Sequence, residues 1–104
     1  MIEAAIYKAL GDPIRLEIVK RLSATTSSTV GDLSSNLGIT RQGARKQIQV
    51  LVNANVVQLS QSGRQTHVTL DTKTLQIARS FISQLERQWD DRLEALKGFV
   101  EGSD

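Results

Sequence analysis

Residues 37–59, LGITRQGARKQIQVLVNANVVQL, decide how this 104-residue chain folds. Four apolar residues within them follow the spacing i, i+4, i+7 and i+8 of one side of an α-helix: Ala44, Ile48, Leu51 and Val52. Thr40 precedes them as a candidate N-cap, and Asn55 follows them where the chain must turn left-handed. The stretch therefore predicts an amphipathic helix that begins after a tight link and ends before an extended segment.

The polar side of this predicted helix carries amides and cations but no carboxylate. Away from its apolar side lie Gln42, Lys46, Gln49 and Asn53. Arg41 lies in its first turn and Arg45 at the margin of the apolar side. No acidic residue occurs between Leu33 and Leu70, so these cations have no local counter-charge. Gln and Arg donors can read base edges, and Lys suits a phosphate or guanine, so this surface is typical of one that binds a polyanion.

Two helices are predicted near the start of the chain. Apolar residues recur at helical spacing from Ile2 onwards, and the Gly11-Asp12-Pro13 segment ends that first helix. Asp12 can cap a second helix, and Pro13 suits its first position. The Ser- and Thr-rich residues 23–28 are expected to end this second helix.

A short third helix leads into the decisive stretch. Thr29 and Asp32 have the spacing of a capping box, a hydroxyl followed three positions later by an acidic residue. The helix is expected to run from Val30 to Leu37. Gly38 then stands where a C-terminal stop belongs.

Residues 57–70 predict a β-hairpin. Apolar and polar residues alternate on both sides of Ser62-Gly63, which supplies the turn. Arg64 is placed at the tip, where it could contact a phosphate or the minor groove.

A long final helix is predicted from residue 71, where Asp71 can act as the cap. Its apolar residues step by three and four along one side: Leu75, Ala78, Ile82, Leu85, Trp89, Leu93, Leu96 and Val100. A helix of about 28 residues is ~42 Å long, whereas a small domain is only ~30 Å across. One copy of the chain cannot cover that apolar side, so we expect a second copy to cover it.

The order of these elements is that of a winged helix-turn-helix domain. The fold class is mainly α, with five helices, a two-stranded wing and a long C-terminal dimerisation helix over residues 71–100. We expect residues 1–104 to form a single domain. In such domains the helix after the tight turn enters the major groove, and the hairpin reaches the flanking backbone.

Five motifs carry a resemblance to a known family: ALGDPIRL (9–16), VGDL (30–33), LGIT through IQVL (37–51), SGRQTHVTLD (62–71) and WDDRL with Leu96 (89–96). In this order they resemble the ArsR-type (ArsR/SmtB) family of bacterial and archaeal winged-helix repressors. The last motif resembles the closing helix of a non-metal-sensing subgroup. The resemblance implies a homodimer built on the first and last helices, which binds a palindromic operator in double-stranded DNA and represses transcription.

The resemblance also implies which residues act. The expected DNA contacts, with Arg64 added from the hairpin, are Thr40, Arg41, Gln42, Gly43, Arg45, Lys46, Gln49 and Arg64. The expected dimer contacts are Ile2, Ile6, Ile82, Leu85, Trp89, Leu93 and Leu96. Gln42 and Gly43 stand where the family often has Pro and Thr, which predicts a different operator preference.

The residue inventory argues against an enzyme, a cofactor and a metal site. The chain has no Cys, one His and no phosphate-cradling glycine loop. Thr29 and Gly31 occupy the positions of metal-binding thiolates in relatives, and neither can bind a soft ion. Asp90 and Glu94 share a helix face, but nearby cations explain them as surface ion pairs.

The sequence predicts a cytoplasmic protein without membrane contact. It lacks a secretory signal at its start, and its longest aliphatic run is Val50-Leu51-Val52. An alternative function is a protein-interaction module that docks a partner through the winged helix and the long helix. An anti-repressor protein or a small-molecule inducer also stays open, as does the operator sequence.

Overall fold

The computed structural model describes residues 2–102. Within that range the elements are α1 (Ile2–Leu10), α2 (Pro13–Ser23), β1 (Ser28–Thr29), α3 (Val30–Ser34), α4 (Arg41–Asn53), β2 (Val57–Ser62), β3 (Gln65–Leu70) and α5 (Thr72–Glu101). The predicted winged helix-turn-helix fold is confirmed: α3 and α4 form the helix-turn-helix, and β2 and β3 form the wing.

Helix starts are set by the predicted caps. The Asp12 carboxylate accepts hydrogen bonds from two backbone N–H groups of the first turn of α2. The Thr40 hydroxyl accepts one from Gly43 at 2.9 Å, and the Asp71 carboxylate accepts two in the first turn of α5. Each cap satisfies N–H groups that would otherwise lack a partner at the helix end. Thr40 thereby fixes where the decisive helix α4 begins.

Helix α3 is shorter than predicted and ends at Ser34 rather than at Leu37. Ser35 is extended, and Asn36 has a φ of 60°, which is incompatible with continuing the helix. The Arg21 guanidinium of α2 donates to carbonyl groups of this turn, those of Leu33, Ser35 and Asn36. The sequence of α3 alone did not indicate this early end, because the arginine that satisfies these carbonyls comes from another helix.

The wing contains one strand more than the hairpin that the sequence predicted. Strand order is β1-β3-β2, with Ser28 opposite Val68 and Thr29 opposite His67. Strand β1 is two residues long, too short to leave a periodic signal in the sequence. Strand β1 pairs with β3 on the side away from β2. Because β1 leads directly into α3, this pairing connects the wing to the start of α3.

The core lies between helices α1 to α4, the start of α5 and the inner side of the wing. Its fully buried large side chains are Ile6, Ile18, Leu33, Leu51, Val56, Val57 and Val68. For one of them, Ile6, the structure contradicts a prediction. Ile6 was expected at a dimer interface, but it has no exposed surface, since α1 turns that side chain into its own protomer's core.

Helix α5 is attached to the body only near its beginning. Tyr7 of α1 donates a hydrogen bond to the Ala78 carbonyl at 2.6 Å, and its ring packs on Phe81 with centroids 5.9 Å apart. From Arg79 to the end of the helix every residue is exposed. The described chain therefore measures 72 × 25 × 25 Å. None of the helices described combines the length and the hydropathy that crossing a membrane requires.

Candidate nucleic-acid interface

Helix α4 presents a polar face because its opposite, apolar face packs against the core. Ala44, Ile48 and Leu51 are between 0% and 3% exposed. The exposed residues of the helix include all the outward-facing side chains expected from the sequence: Gln42, Arg45, Lys46, Gln49 and Asn53. We call these five residues the α4 face. It is rigidly placed, since the opposite side of the same helix is packed.

The five arginines that precede α5 fall into two groups. Arg15 and Arg21 use their guanidinium groups on backbone carbonyls and thereby hold helices together. Within residues 2–102, the guanidinium groups of Arg41, Arg45 and Arg64 donate no hydrogen bond to protein, so their donors are available to a ligand. Guanidinium donors suit phosphates and guanine edges.

No carboxylate neutralises the cations of α4 and the wing. The ion pair found in the described part of the chain joins Arg21 to Glu17, both of α2, at 3.4 Å. Lys46 and the three available arginines therefore have no carboxylate within ion-pairing distance among residues 2–102. Uncompensated positive charge on a convex helix face attracts a polyanion and raises its rate of encounter.

Thr40 and Gly43 differ from the other predicted DNA-contacting residues. The Thr40 hydroxyl is engaged as the cap of α4, and a Cβ on Gly43 would lie 3.2 Å from that hydroxyl oxygen. Gly43 is half-buried and faces Ile39 rather than the exposed side. Any contact that Gly43 makes with DNA would come from its backbone.

Arg64 lies at the tip of the wing. Ser62 pairs with Gln65, which leaves Gly63 and Arg64 as a two-residue turn, and Gly63 has a φ of 62°. A glycine in that first position is typical of a type II′ hairpin turn. The side chains of Thr66 and Gln61 are hydrogen-bonded across the strands at 3.0 Å just below the tip. The turn thus holds the Arg64 side chain at the far end of an ordered ladder.

A second exposed surface runs along α5. Its members are the five predicted dimer residues of that helix, between 45% and 62% exposed: Ile82, Leu85, Trp89, Leu93 and Leu96. We call them the α5 stripe. Ile2 of α1 is also 62% exposed. Phe81 and Phe99 are exposed on one flank of the stripe, and neither was among the predicted dimer residues.

Sequence reasoning also missed a polar link behind the α4 face. Arg15 donates from Nε to the Ala9 carbonyl at 2.7 Å and from Nη1 to Gln47 Oε1 at 2.8 Å. Arg15 therefore joins the end of α1, the start of α2 and the inner margin of α4. One feature of the sequence could have indicated this link: Gln47 is a polar residue that lies away from the predicted polar side of α4.

Acidic and imidazole side chains are scattered. Among residues 2–102, no three or more of them come close enough together to hold a metal ion. Asp71, at the base of the wing, is engaged locally: a hydrogen bond from the Gln58 amide at 2.9 Å, and then one from the Thr74 backbone, lower the pKa of its carboxyl group.

Comparison with known proteins gives a domain family and a set of similar structures. Residues 10–59 match the family described as "Helix-turn-helix domain". An ArsR-like transcriptional regulator from Rhodococcus sp. RHA1 is 24% identical, with a TM-score of 0.82 over 94% of this chain and 92% of that one. The transcriptional repressor BigR from Xylella fastidiosa is 26% identical, with a TM-score of 0.61 over 77% and 82%.

A third similar structure bears on assembly. It is the homodimeric winged helix-turn-helix DNA-binding domain (fragment 1-100) of "a possible ArsR-family transcriptional regulator" from Mycobacterium bovis. It is 20% identical, with a TM-score of 0.63 over 88% of this chain and 82% of that one. No curated protein matched. Together the domain match and the similar structures support a DNA-binding transcriptional regulator, and they agree with the prediction that the chain is not an enzyme.

Proposed function

We propose that this protein is an ArsR-type transcriptional repressor that binds a palindromic operator as a homodimer. The observation that carries the proposal is the α4 face. It combines amides and cations, has no carboxylate partner among residues 2–102, and belongs to the second helix of a helix-turn-helix. A merely solvated helix face would be expected to carry both signs of charge.

The residues of the α4 face, together with Arg64, suit two kinds of DNA contact: contacts with base edges and contacts with phosphates. Arg45, Gln42 and Gln49 have side chains suited to bidentate contacts with guanine and adenine in the major groove. Lys46 suits a phosphate or guanine. Arg64, at the end of the wing, suits the flanking backbone or the minor groove. The backbone contacts would set affinity and register, and the base contacts would set the operator sequence.

The α5 stripe supports the dimer. About 20 residues of α5, roughly 30 Å of helix, extend beyond Phe81, whose ring packs on Tyr7. A contiguous apolar surface of that length is unusual on a monomer. Pairing of two stripes about a two-fold axis would place two α4 faces on one side of DNA, with half-sites about one turn, or a multiple of it, apart.

We also propose that repression is not controlled by a metal ion bound at α3. Thr29 uses its hydroxyl to cap α3, and Gly31 has no side chain. Neither residue offers the thiolate that a soft metal ion prefers. Titration with zinc and antimonite, followed by DNA binding, tests this point: an unchanged affinity supports it, and release from DNA contradicts it.

Selection from a pool of random DNA duplexes tests the main proposal without knowledge of the operator. The enriched duplex should then bind in fluorescence anisotropy with a Kd in the nanomolar range, with binding that weakens steeply as salt rises. Lys46→Ala should weaken binding about tenfold and flatten the salt dependence by about one unit of slope. The matched control is Arg87→Ala, which removes the same charge from α5 and should leave binding unchanged.

Two outcomes would contradict the proposal. Failure to enrich any sequence would leave only non-specific charge attraction, and equal effects of Lys46→Ala and Arg87→Ala would show that the α4 face is not the contact surface. In the first case, a monomer in sedimentation would favour the protein-interaction module, since its α5 stripe would be free for a different helix.

A further inference from the structure

Gly31, the second residue of α3, lies directly beneath the side chain of Arg41. A Cβ built on Gly31 would stand 2.8 Å from Arg41 Nη2 and 3.7 Å from its Cζ. The first distance is too short for two non-bonded atoms. The guanidinium group of α4's first residue therefore rests in the space that any other residue at position 31 would fill with its own side chain.

The arginine that rests on Gly31 keeps its donors available. Arg41 is exposed, and within residues 2–102 it neither donates a hydrogen bond to the protein nor lies within ion-pairing distance of a carboxylate. An arginine side chain loses rotamer entropy when it is immobilised. Resting on Gly31 restricts the Arg41 side chain before any ligand arrives, so less of this entropy remains to be lost on binding.

The direction of the side chain indicates what it meets. Arg41 belongs to the helix that enters the major groove, but its guanidinium group lies back against α3. In helix-turn-helix complexes the first helix of the motif crosses the DNA backbone. A guanidinium group held there faces a phosphate, which carries no direct sequence information.

We infer that Gly31 is a positioning residue for Arg41: by lacking a side chain, it lets the Arg41 guanidinium rest against α3 and meet a backbone phosphate. This inference rests on the proposed function. Gly31→Ala displaces the tip of a flexible side chain and no backbone, so the fold tolerates it. The substitution acts on affinity for all duplexes, and it acts only while Arg41 is present.

A double-mutant cycle in fluorescence anisotropy, on the selected duplex and on an unrelated one, tests the inference. Arg41→Ala should weaken binding to both duplexes about tenfold and lower the salt slope by about one. Gly31→Ala should weaken binding about threefold with a smaller fall in slope, and should have no further effect in the Arg41→Ala protein. Gly98→Ala is the matched control, because a Cβ there meets nothing within 4 Å.

Each outcome decides the inference. Binding by Gly31→Ala as tight as wild type or tighter overturns it, and so does an equal loss with and without Arg41. A thermal unfolding curve shows whether Gly31→Ala has stayed folded. If it has not, Gly31→Ser replaces it in the cycle, both alone and combined with Arg41→Ala. When wild type binds and Lys46→Ala weakens binding but the cycle shows no coupling, the proposed function stands and only this inference fails. When wild type binds no sequence specifically, both fail.

Discussion

Helices α4 and α5 are both amphipathic, but the molecule uses them in opposite ways. On the apolar side of α4, Ala44, Ile48 and Leu51 are buried in the core and Val52 is half-buried against it, whereas the polar side is exposed. The apolar side of α5 is buried only as far as Ala78, and the rest of it is exposed. The same periodic pattern therefore points to two kinds of surface. On α4 the residues that indicate function are the polar ones that do not pack in the core. On α5 they are the apolar ones that lie beyond the core.

The largest effect should come from placing a charge in the α5 stripe. Leu93→Glu should raise the dimer dissociation constant on the order of a hundredfold or more, because two carboxylates would be buried facing an apolar surface. Sedimentation equilibrium measures this constant. Ser83→Glu is the control: it adds the same charge on the polar side of α5, four residues from both Arg79 and Arg87. Equal behaviour of the two variants would show that the stripe is not the contact between copies.

A second pair of substitutions separates the two sides of α4. Ile48→Ala should lower the free energy of unfolding by about 2–5 kcal/mol, because it leaves a cavity in the core. Gln49→Ala, one residue further on, should change stability by only about 0.5 kcal/mol while weakening DNA binding. Urea unfolding and anisotropy measure the two quantities. A large loss of stability in Gln49→Ala would mean that the α4 face has a structural role.

The smallest effect concerns the base of the wing, where α5 begins. The pKa of Asp71 is lower in the folded protein than in the unfolded chain, because its carboxylate accepts hydrogen bonds from Gln58 and from the first turn of α5. The unfolded chain therefore binds a proton more readily. This contribution to stability is present above the normal aspartate pKa and is lost as the pH falls through the lower folded value. Unfolding curves at pH 7 and pH 3 should show a smaller acid-induced loss in Asp71→Asn than in wild type, and an equal loss would contradict this role.

The features that the sequence predicted are those that depend on neighbouring residues. Asp12, Thr40 and Asp71 act as caps within their own first turns, and the left-handed Asn55 ends its own helix. The period of the side chains located α4, the hairpin and α5. The outward residues of α4 were predicted for the same reason, since the side of a helix that faces the core determines the side that does not. Whether those residues bind DNA stays a prediction.

The features that the sequence did not predict depend on distant residues. Strand β1 exists because β3 offers an edge to two residues that have no strand pattern of their own. Helix α3 stops early where Arg21, from another helix, satisfies the carbonyls. Ile6 was assigned to the dimer because the family resemblance implies an interface that includes the first helix, and the sequence of α1 does not show whether its apolar side meets its own core or a second copy. The contact of Gly31 with Arg41 joins two helices and leaves no periodic signal.

The separation of α4 from the exposed length of α5 has a genetic consequence. With α5 as the pairing surface, a copy whose α4 face is damaged still pairs with an intact copy. In a cell that makes both in equal amounts, random pairing leaves about a quarter of the dimers with two intact recognition helices. An allele such as one encoding Lys46→Ala would therefore interfere with the wild-type allele. An allele encoding Leu93→Glu, whose product pairs poorly, would be recessive.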